Sequence, residues 1–424
     1  MNVEIKNGRV IDPASDTDAV QTVNITDGRI AALGTAPAGF KADRVIDASG
    51  KIVCPGLVDL TARLREPGNE HKATLESEMR AAVAGGVTSL VCPPDTDPPL
   101  DEPGLVEMLK RRADALKQAH VYPLGALTQG LKGARLAEMG ELTEAGCVGF
   151  FQADRPLTDT NVLWRAMQYA ATHGFTLWLR PEDAHLAAGG VAHDGEMATR
   201  LGLPAIPAIA ETIAVQTIVT LVAETGCRVH LARLSAAPSL AVVAAAKRGG
   251  LPITCDVGIH HLLLSDRDIG YFDPQYRFTP PLRDVRDREA LRQGVVSGVI
   301  DAICSDHTPV DDDEKQVPFD EATPGATGLE LLLPLTLKFA AEMKLPLKDA
   351  LAKITYAPAA LLGIPAGTLA VGAPADLCIF DEQAFWAVTP RTLCSQGKNT
   401  PWMKRELVGK VTQTLVGGQT VFPG

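Results

Sequence analysis

Eight apolar, strand-like runs alternate with amphipathic helical stretches through the middle of this 424-residue chain, and that alternation restricts its fold more than any other feature. The runs lie at 57–64, 87–93, 121–127, 146–151, 175–180, 228–234, 251–257 and 301–305. Helix-like segments such as Glu107 to Gln118, Asp159 to Thr172, Glu211 to Thr225 and Pro238 to Lys247 separate them. Parallel strands need crossover connections of this kind, and eight successive βα units imply an α/β chain closed as a (β/α)8 TIM barrel. A doubly wound open sheet is the structural competitor, but no Gly-x-Gly-x-x-Gly turn follows an early strand.

The ends of the chain read differently. Residues 1–54 carry short strand signals, Val3 to Ile5, Val10-Ile11, Val23 to Ile25 and Ile30 to Leu33, broken by turns at Asn7-Gly8 and Asp27-Gly28. Residues 366–424 repeat the pattern, with strand-like runs at Ala375 to Phe380, Gly409 to Leu415 and Val421-Phe422. Two β-rich ends around an alternating middle predict a discontinuous β-sandwich domain (1–54 plus 366–424) and a barrel domain at 55–365.

Composition narrows the class of partner. A net charge of -11 without a basic stripe argues against nucleic acid and anionic membranes. No apolar run approaches the ~20 residues that a membrane helix needs. The eight cysteines are scattered, without a Cys-x-x-Cys pair, and read as reduced core residues of a cytoplasmic protein.

The first barrel strand carries an anomaly. Pro55-Gly56-Leu57-Val58-Asp59-Leu60-Thr61-Ala62-Arg63-Leu64-Arg65-Glu66-Pro67-Gly68 has the frame in which a His-x-His pair turns both imidazoles to one face and shares a divalent ion. Here those two positions are Thr61 and Arg63. Two loops follow later strands: the acidic Asp311 to Glu321 segment, which suits a lid, a partner surface or a plain solvated loop, and Arg277 to Arg283, where Pro280-Pro281 forbids helix.

That frame, together with Ala84-Gly85-Gly86-Val87-Thr88, Pro280-Pro281-Leu282-Arg283, Ser305-Asp306-His307, Gly328-Leu329-Glu330 and Asn399-Thr400-Pro401, resembles the dihydroorotase family of the amidohydrolase superfamily. The resemblance covers nearly the whole chain. It implies an amidohydrolase barrel with a small terminal β-sandwich, and a cyclic-amide reaction in which zinc polarises the carbonyl and supplies hydroxide.

Position by position, however, the implied ligand set is gone. The paired histidines correspond to Thr61 and Arg63; the fourth-strand lysine or aspartate to Gln152 or Ala153, with Asp154 too late and expected on the other face. The fifth- and sixth-strand histidines correspond to Arg180 and Arg233, and His230 is not at the ligand position. Only Asp306 matches, as a vestige of the metal-binding and proton-transferring aspartate. Permanently cationic guanidinium groups repel a divalent ion, so the expectation is no metal, no cofactor and one or more of Arg63, Arg180 and Arg233 paired with Asp306. On the substrate side Arg65 is retained, read as a vestigial group now serving as a structural partner of an acid. Asp95 replaces an asparagine and would repel an anionic substrate, while Thr279 and Val310 replace an asparagine and a histidine.

Other candidates are weak. His260-His261 would point to opposite faces of a strand, and His71, His120, His173, His185 and His193 read as surface residues. Ser235 and Thr128 have no visible base. The resemblance is nearest to noncatalytic dihydroorotase-like chains that assemble with aspartate carbamoyltransferase, which implies a structural subunit and not an enzyme. Two alternatives stand beside it: an active dihydroorotase or other cyclic amidohydrolase with a rearranged site, with or without metal, and a metabolite-sensing pocket using Arg63, Arg65, Arg180 and Arg233.

Overall fold

In the computed structural model, which describes residues 1–423, all eight barrel strands are present and parallel to their neighbours. Leu57–Asp59, Val87–Cys92 and His120–Pro123 form one run; Gly125–Ala126, Phe150–Phe151, Thr176–Leu179, Arg228–Leu231, Ile253–Gly258 and Ala302–Cys304 form the other. The third strand belongs to both. It is interrupted at Leu124, whose N–H donates to the Cys92 carbonyl at 2.9 Å, so one half pairs backward and the other forward. The ring closes between the first and eighth strands through the parallel bridge of Ala62 to His307 and an Arg63 N–H to His307 carbonyl bond of 2.9 Å. A closed (β/α)8 barrel results.

Inside it, alternate strand residues pack an apolar plug of Leu60, Val91, Leu124, Phe151, Trp178 and Ala302, as the period-two pleat requires. Around it lie Pro103–Leu116, Thr160–His173, Ala208–Thr225 and Ala237–Arg248, each near its predicted position. Asp159 caps the second of these by accepting from the Asn161 N–H at 2.8 Å.

The strands are shorter than the apolar runs, mostly at their C-terminal ends. The 57–64 run is hydrogen-bonded strand only over Leu57–Asp59, and 228–234 only over Arg228–Leu231. Past those ends the chain turns freely, and that is where the site is built.

The terminal segments meet in a single mixed sheet of eight strands. Ile52–Pro55 runs parallel to Asn2–Asp12 and antiparallel to Leu377–Ala387, with Cys54 opposite Cys378. Val3, Ile5, Val23, Ile25, Leu377 and Leu415 form a separate apolar cluster there. A sheet whose central strands come from opposite ends of the chain ties both termini together.

One expectation needs correction. Ala208–Thr225 is long and apolar enough to span a bilayer by length and composition, with a mean hydropathy of 1.3, whereas no such run was expected. It packs on Ala237–Arg248 and on the sixth strand, and it carries the buried Glu211, so it is a helix of the barrel wall. The acidic 311–321 segment is anchored: Lys72 pairs with Glu314 at 2.6 Å, Phe319 is buried, and Lys315 is buried with its Nζ donating to the Pro274 carbonyl at 2.9 Å.

Candidate functional site

The C-terminal ends of the strands converge on a cluster of buried arginines and carboxylates. Arg63 Nη1 donates to Asp306 Oδ1 at 3.2 Å and to Thr308 Oγ1 at 3.0 Å, its Nη2 to Asp154 Oδ2 at 2.6 Å, and its Nε to Asp95 Oδ2 at 2.8 Å. Arg233 reaches two of those three acids: Nη1 lies 2.9 Å from Asp306 Oδ1, and Nη2 contacts Asp154 Oδ1. Arg180 pairs with Asp154 at 2.8 Å through Nε and grips Glu182 with both terminal nitrogens, at 2.8 and 2.9 Å. Three cations thus share four carboxylates, with every donor fork turned inward.

Local backbone geometry explains how they meet. Ala153, Arg233 and Asp306 have φ of 54°, 57° and 48°, in the left-handed region that non-glycine residues avoid at a cost of about 1–3 kcal/mol each. Each stands just past a strand end and redirects the side chains around it. Because Ala153 turns the chain, Asp154 points into the site, contrary to the expectation that alternation would send it to the other face. Gln152 turns away instead, accepting from Thr128 Oγ1 at 2.9 Å and donating to the Leu131 carbonyl at 3.0 Å.

The electrostatics follow from this crowding. Burial works against Asp154's charge, but Arg233, Arg63 and Arg180 outweigh it and hold its carboxyl well below the usual range. Burial likewise disfavours the Arg63 charge, yet Asp95, Asp154 and Asp306 hold that guanidinium above its ordinary value, and Asp154 with Asp306 does the same for Arg233. Asp306 is pushed upward by burial, which Arg233 and Arg63 only partly offset. All three arginines stay charged.

Arg65 behaves differently from the expectation that it pairs with an acid. Its Nε donates to the Pro309 carbonyl at 2.7 Å, and no carboxylate of the described residues comes within 4.0 Å. Burial and then the neighbouring Arg63 lower its pKa. Arg63 and Arg233 pair with Asp306, as the expectation of one or more such pairs required, while Arg180 pairs with Asp154 and Glu182. Thr61 is buried and gives its carbonyl to the His307 N–H at 3.1 Å; Val310 is buried with its N–H on Asn399; the Thr279 carbonyl accepts from Arg233 at 3.1 Å.

Several residues have roles in the structure that differ from those their sequence positions suggested. Asp95, read as repelling a substrate, is a partner of Arg63. Compensation was the available signal: arginines placed in a core demand carboxylates, and an asparagine position that has become Asp supplies one. His307 is fully buried and lies 2.6 Å from Glu78 Oε2, while the Gly328 N–H donates to its Nδ1 at 3.0 Å, so it braces the turn after Asp306. His260 and His261 are not on a strand at all; they lie in the helix Ile259–Leu263, His260 accepting from Trp402 Nε1 and His261 facing the Pro280 carbonyl. Burial pushes them down to about 3 and about 4, so both are neutral.

These donors do not fit a divalent metal. Thr61, Arg63, Gln152, Arg180 and Arg233 stand where ligands would be needed, and Asp306 Oδ1 and both carboxylate oxygens of Asp154 are already taken by guanidinium groups. Among the described residues one group of three ligand-type side chains lies elsewhere, His193, Asp284 and Asp287. His193 is therefore buried and not the surface residue expected. Its Nδ1 faces Arg283 Nη1 at 3.4 Å, while Asp284 caps a helix and Asp287 accepts from the Ala237 N–H, so this group also has its own partners.

Comparison with known proteins agrees with the fold. Residues 50–239 match the Dihydro-orotase-like family and residues 184–421 the Amidohydrolase family. A "Dihydroorotase-like protein" of Pseudomonas aeruginosa is 44% identical over all of both chains, and one of Pseudomonas putida is 45% identical over 99% of this chain and 98% of its own. A protein named dihydroorotase in an Anaeromyxobacter species is 43% identical over 98% of this chain and 97% of its own. Among solved structures, the L-hydantoinase of Arthrobacter aurescens superposes with a TM-score of 0.89 at 26% identity, covering 99% of this chain and 96% of that one.

Proposed function

The chain belongs to the dihydroorotase-like proteins of the amidohydrolase superfamily, and from that premise we propose that it is a catalytically silent member serving as a structural partner of aspartate carbamoyltransferase in pyrimidine biosynthesis. One observation carries the first half: Arg63 and Arg233 both bond the Asp306 carboxylate that relatives would offer to a metal. A hydrolase of this family needs a Lewis acid and a metal-activated water, and a catalytic zinc takes about three protein ligands. The guanidinium forks occupy that volume with positive charge. In place of the ion, they bind the ends of the first, fourth, fifth, sixth and eighth strands to one another.

The partner half rests on the family resemblance. A rigid barrel whose mouth is cross-linked by ion pairs suits a scaffold, which needs shape and not turnover. Eight free cysteines, seven of them buried, fit a reducing cytoplasm.

A second reading keeps the chain as an active dihydroorotase, favoured by the 43% identity to the Anaeromyxobacter protein of that name. One purification separates the two. The untagged chain, isolated from its own cell extract, should bring aspartate carbamoyltransferase with it, contain no stoichiometric zinc and leave dihydroorotate intact. Zinc near one per chain with turnover of dihydroorotate would establish the second reading. A chain that elutes without the transferase would remove the partner assignment.

A further inference from the structure

Outside the barrel, a cavity of about 280 Å³ opens where the helices Leu75–Ala84 and Leu332–Met343 pack on the terminal sheet. Its walls are mostly apolar: Ala84, Pro334, Val411, Phe422 and the indole of Trp386. An irregularity in the sheet makes the space. The register of Leu377–Ala387 against Glu406–Val416 shifts between Asp381 and Phe385, and Gly409 falls in that gap with a φ of 94°. A side chain there would be strained and would run into Leu337, so the strand presents bare backbone. The Gly409 carbonyl takes the Trp386 Nε1–H at 3.0 Å. That satisfies the indole's only donor and leaves the ring itself for an apolar or cationic neighbour.

One carboxylate lines this apolar space. Glu330 accepts from the Cys394 and Ser395 N–H groups at 2.7 and 3.1 Å, and no lysine, arginine or histidine nitrogen of the described residues lies within 4.0 Å of it. The charged groups around it are engaged or outside. Lys398 donates its Nζ to the Leu393 and Ser395 carbonyls, Glu78 is paired with His307 at 2.6 Å, and Lys410 stands exposed at the rim. Burial first, then Glu78, pushes the Glu330 carboxyl up to about 7, against the opposing pull of its two N–H bonds and Lys398. The acids of the barrel mouth have guanidinium partners, and this one has none.

We propose that the cavity binds a small organic cation, a flat apolar body bearing one ammonium or amidinium group, with its charge on Glu330 and its ring against Trp386. Such a ligand brings the charge-assisted donor that Glu330 lacks and covers the apolar wall in the same step. A neutral ring leaves the carboxylate unpaired, and an anion meets it with like charge.

Benzylamine is the probe, with benzyl alcohol and benzoate as neutral and anionic controls on the same ring. Calorimetric titration of the full chain at pH 8 should give saturable binding of benzylamine with a Kd below ~1 mM, and binding of both controls weaker by about tenfold or more. Benzylamine stays charged from pH 6 to 8 while Glu330 gives up its proton, so the affinity should rise by about tenfold across that range, because only the ionised carboxylate binds it. Glu330→Gln should abolish both the binding and its pH dependence. Trp386→Leu leaves the N–H partners of Glu330 in place and should weaken benzylamine several-fold, which tests the site even where Glu330→Gln does not fold. Absence of saturable binding, equal affinity for benzyl alcohol, a flat pH profile or an unchanged Kd in Trp386→Leu would each overturn the proposal.

Discussion

Arg233 and Asp306 stand 73 residues apart in the chain and meet at 2.9 Å in the barrel mouth, both in left-handed backbone and both almost fully buried. An aspartate that relatives would use for a metal here accepts from a guanidinium. The same oxygen accepts from Arg63, so the pair is part of a lattice that reaches Asp154, Asp95, Arg180 and Glu182. Each prediction below tests a consequence of that lattice or of the loops around it.

Removing one cation should be costly. Arg63→Met would leave Asp95 without its guanidinium partner and Asp154 and Asp306 with one cation fewer, and breaking a buried ion pair from one side costs about 3–5 kcal/mol. Urea unfolding should show a loss of that order. A loss below about 1 kcal/mol would mean that the cluster is solvated like a surface pair.

Restoring the first-strand histidines should not restore chemistry. In Thr61→His/Arg63→His, Arg180 and Arg233 still hold Asp154, and Arg233 still holds Asp306. Dihydroorotate hydrolysis should stay at background and the purified variant should bind no stoichiometric zinc. Measurable turnover would contradict the reading of the site.

Chelation should leave the fold unaffected. A ligand bound to the native state raises apparent stability, and its removal lowers it. Dialysis against EDTA should therefore leave the thermal midpoint unchanged within about 1 °C, whereas loss of a resident metal worth about 4 kcal/mol would lower it by about 4 °C in a chain this long. A lowered midpoint that zinc restores would count against the proposal.

Lys315 makes stability depend on alkaline pH. Burial first, and then the charge of Arg277, pushes its ammonium down to about 7, against about 10.4 in an unfolded chain. Between those values the unfolded state holds a proton that the folded state has released, so unfolding free energy rises with pH across this window. Below pH 7 both states are protonated and the contribution is flat. Lys315→Met removes the titration, so the wild-type stability should gain on that of the variant by about 1–3 kcal/mol from pH 7 to 10 in urea melts. Parallel pH profiles would show that Lys315 titrates normally.

Much of this molecule was legible from its residues alone. Eight apolar runs separated by helices specify a barrel because parallel strands must be joined by crossovers, and the two strand-rich ends had only each other to pair with. The loss of the ligand set that the resemblance implies was equally legible, since Arg63, Arg180 and Arg233 carry permanent positive charge and Thr61 is a poor ligand whatever its orientation.

What only the tertiary structure decided is where those side chains go. Period-two alternation holds while a strand is hydrogen-bonded, and the strands end before the site begins. Asp154 therefore enters the cluster through the left-handed turn at Ala153, Gln152 leaves it, and Arg180 chooses Asp154 and Glu182 over Asp306. His193 is buried and His260-His261 sits in a helix because contacts from distant segments, such as Arg283 and Trp402, surround them. Residue identity set the charges, and long-range packing chose their partners, because an ion pair between residues 63 and 306 has no local pattern by which it can be read.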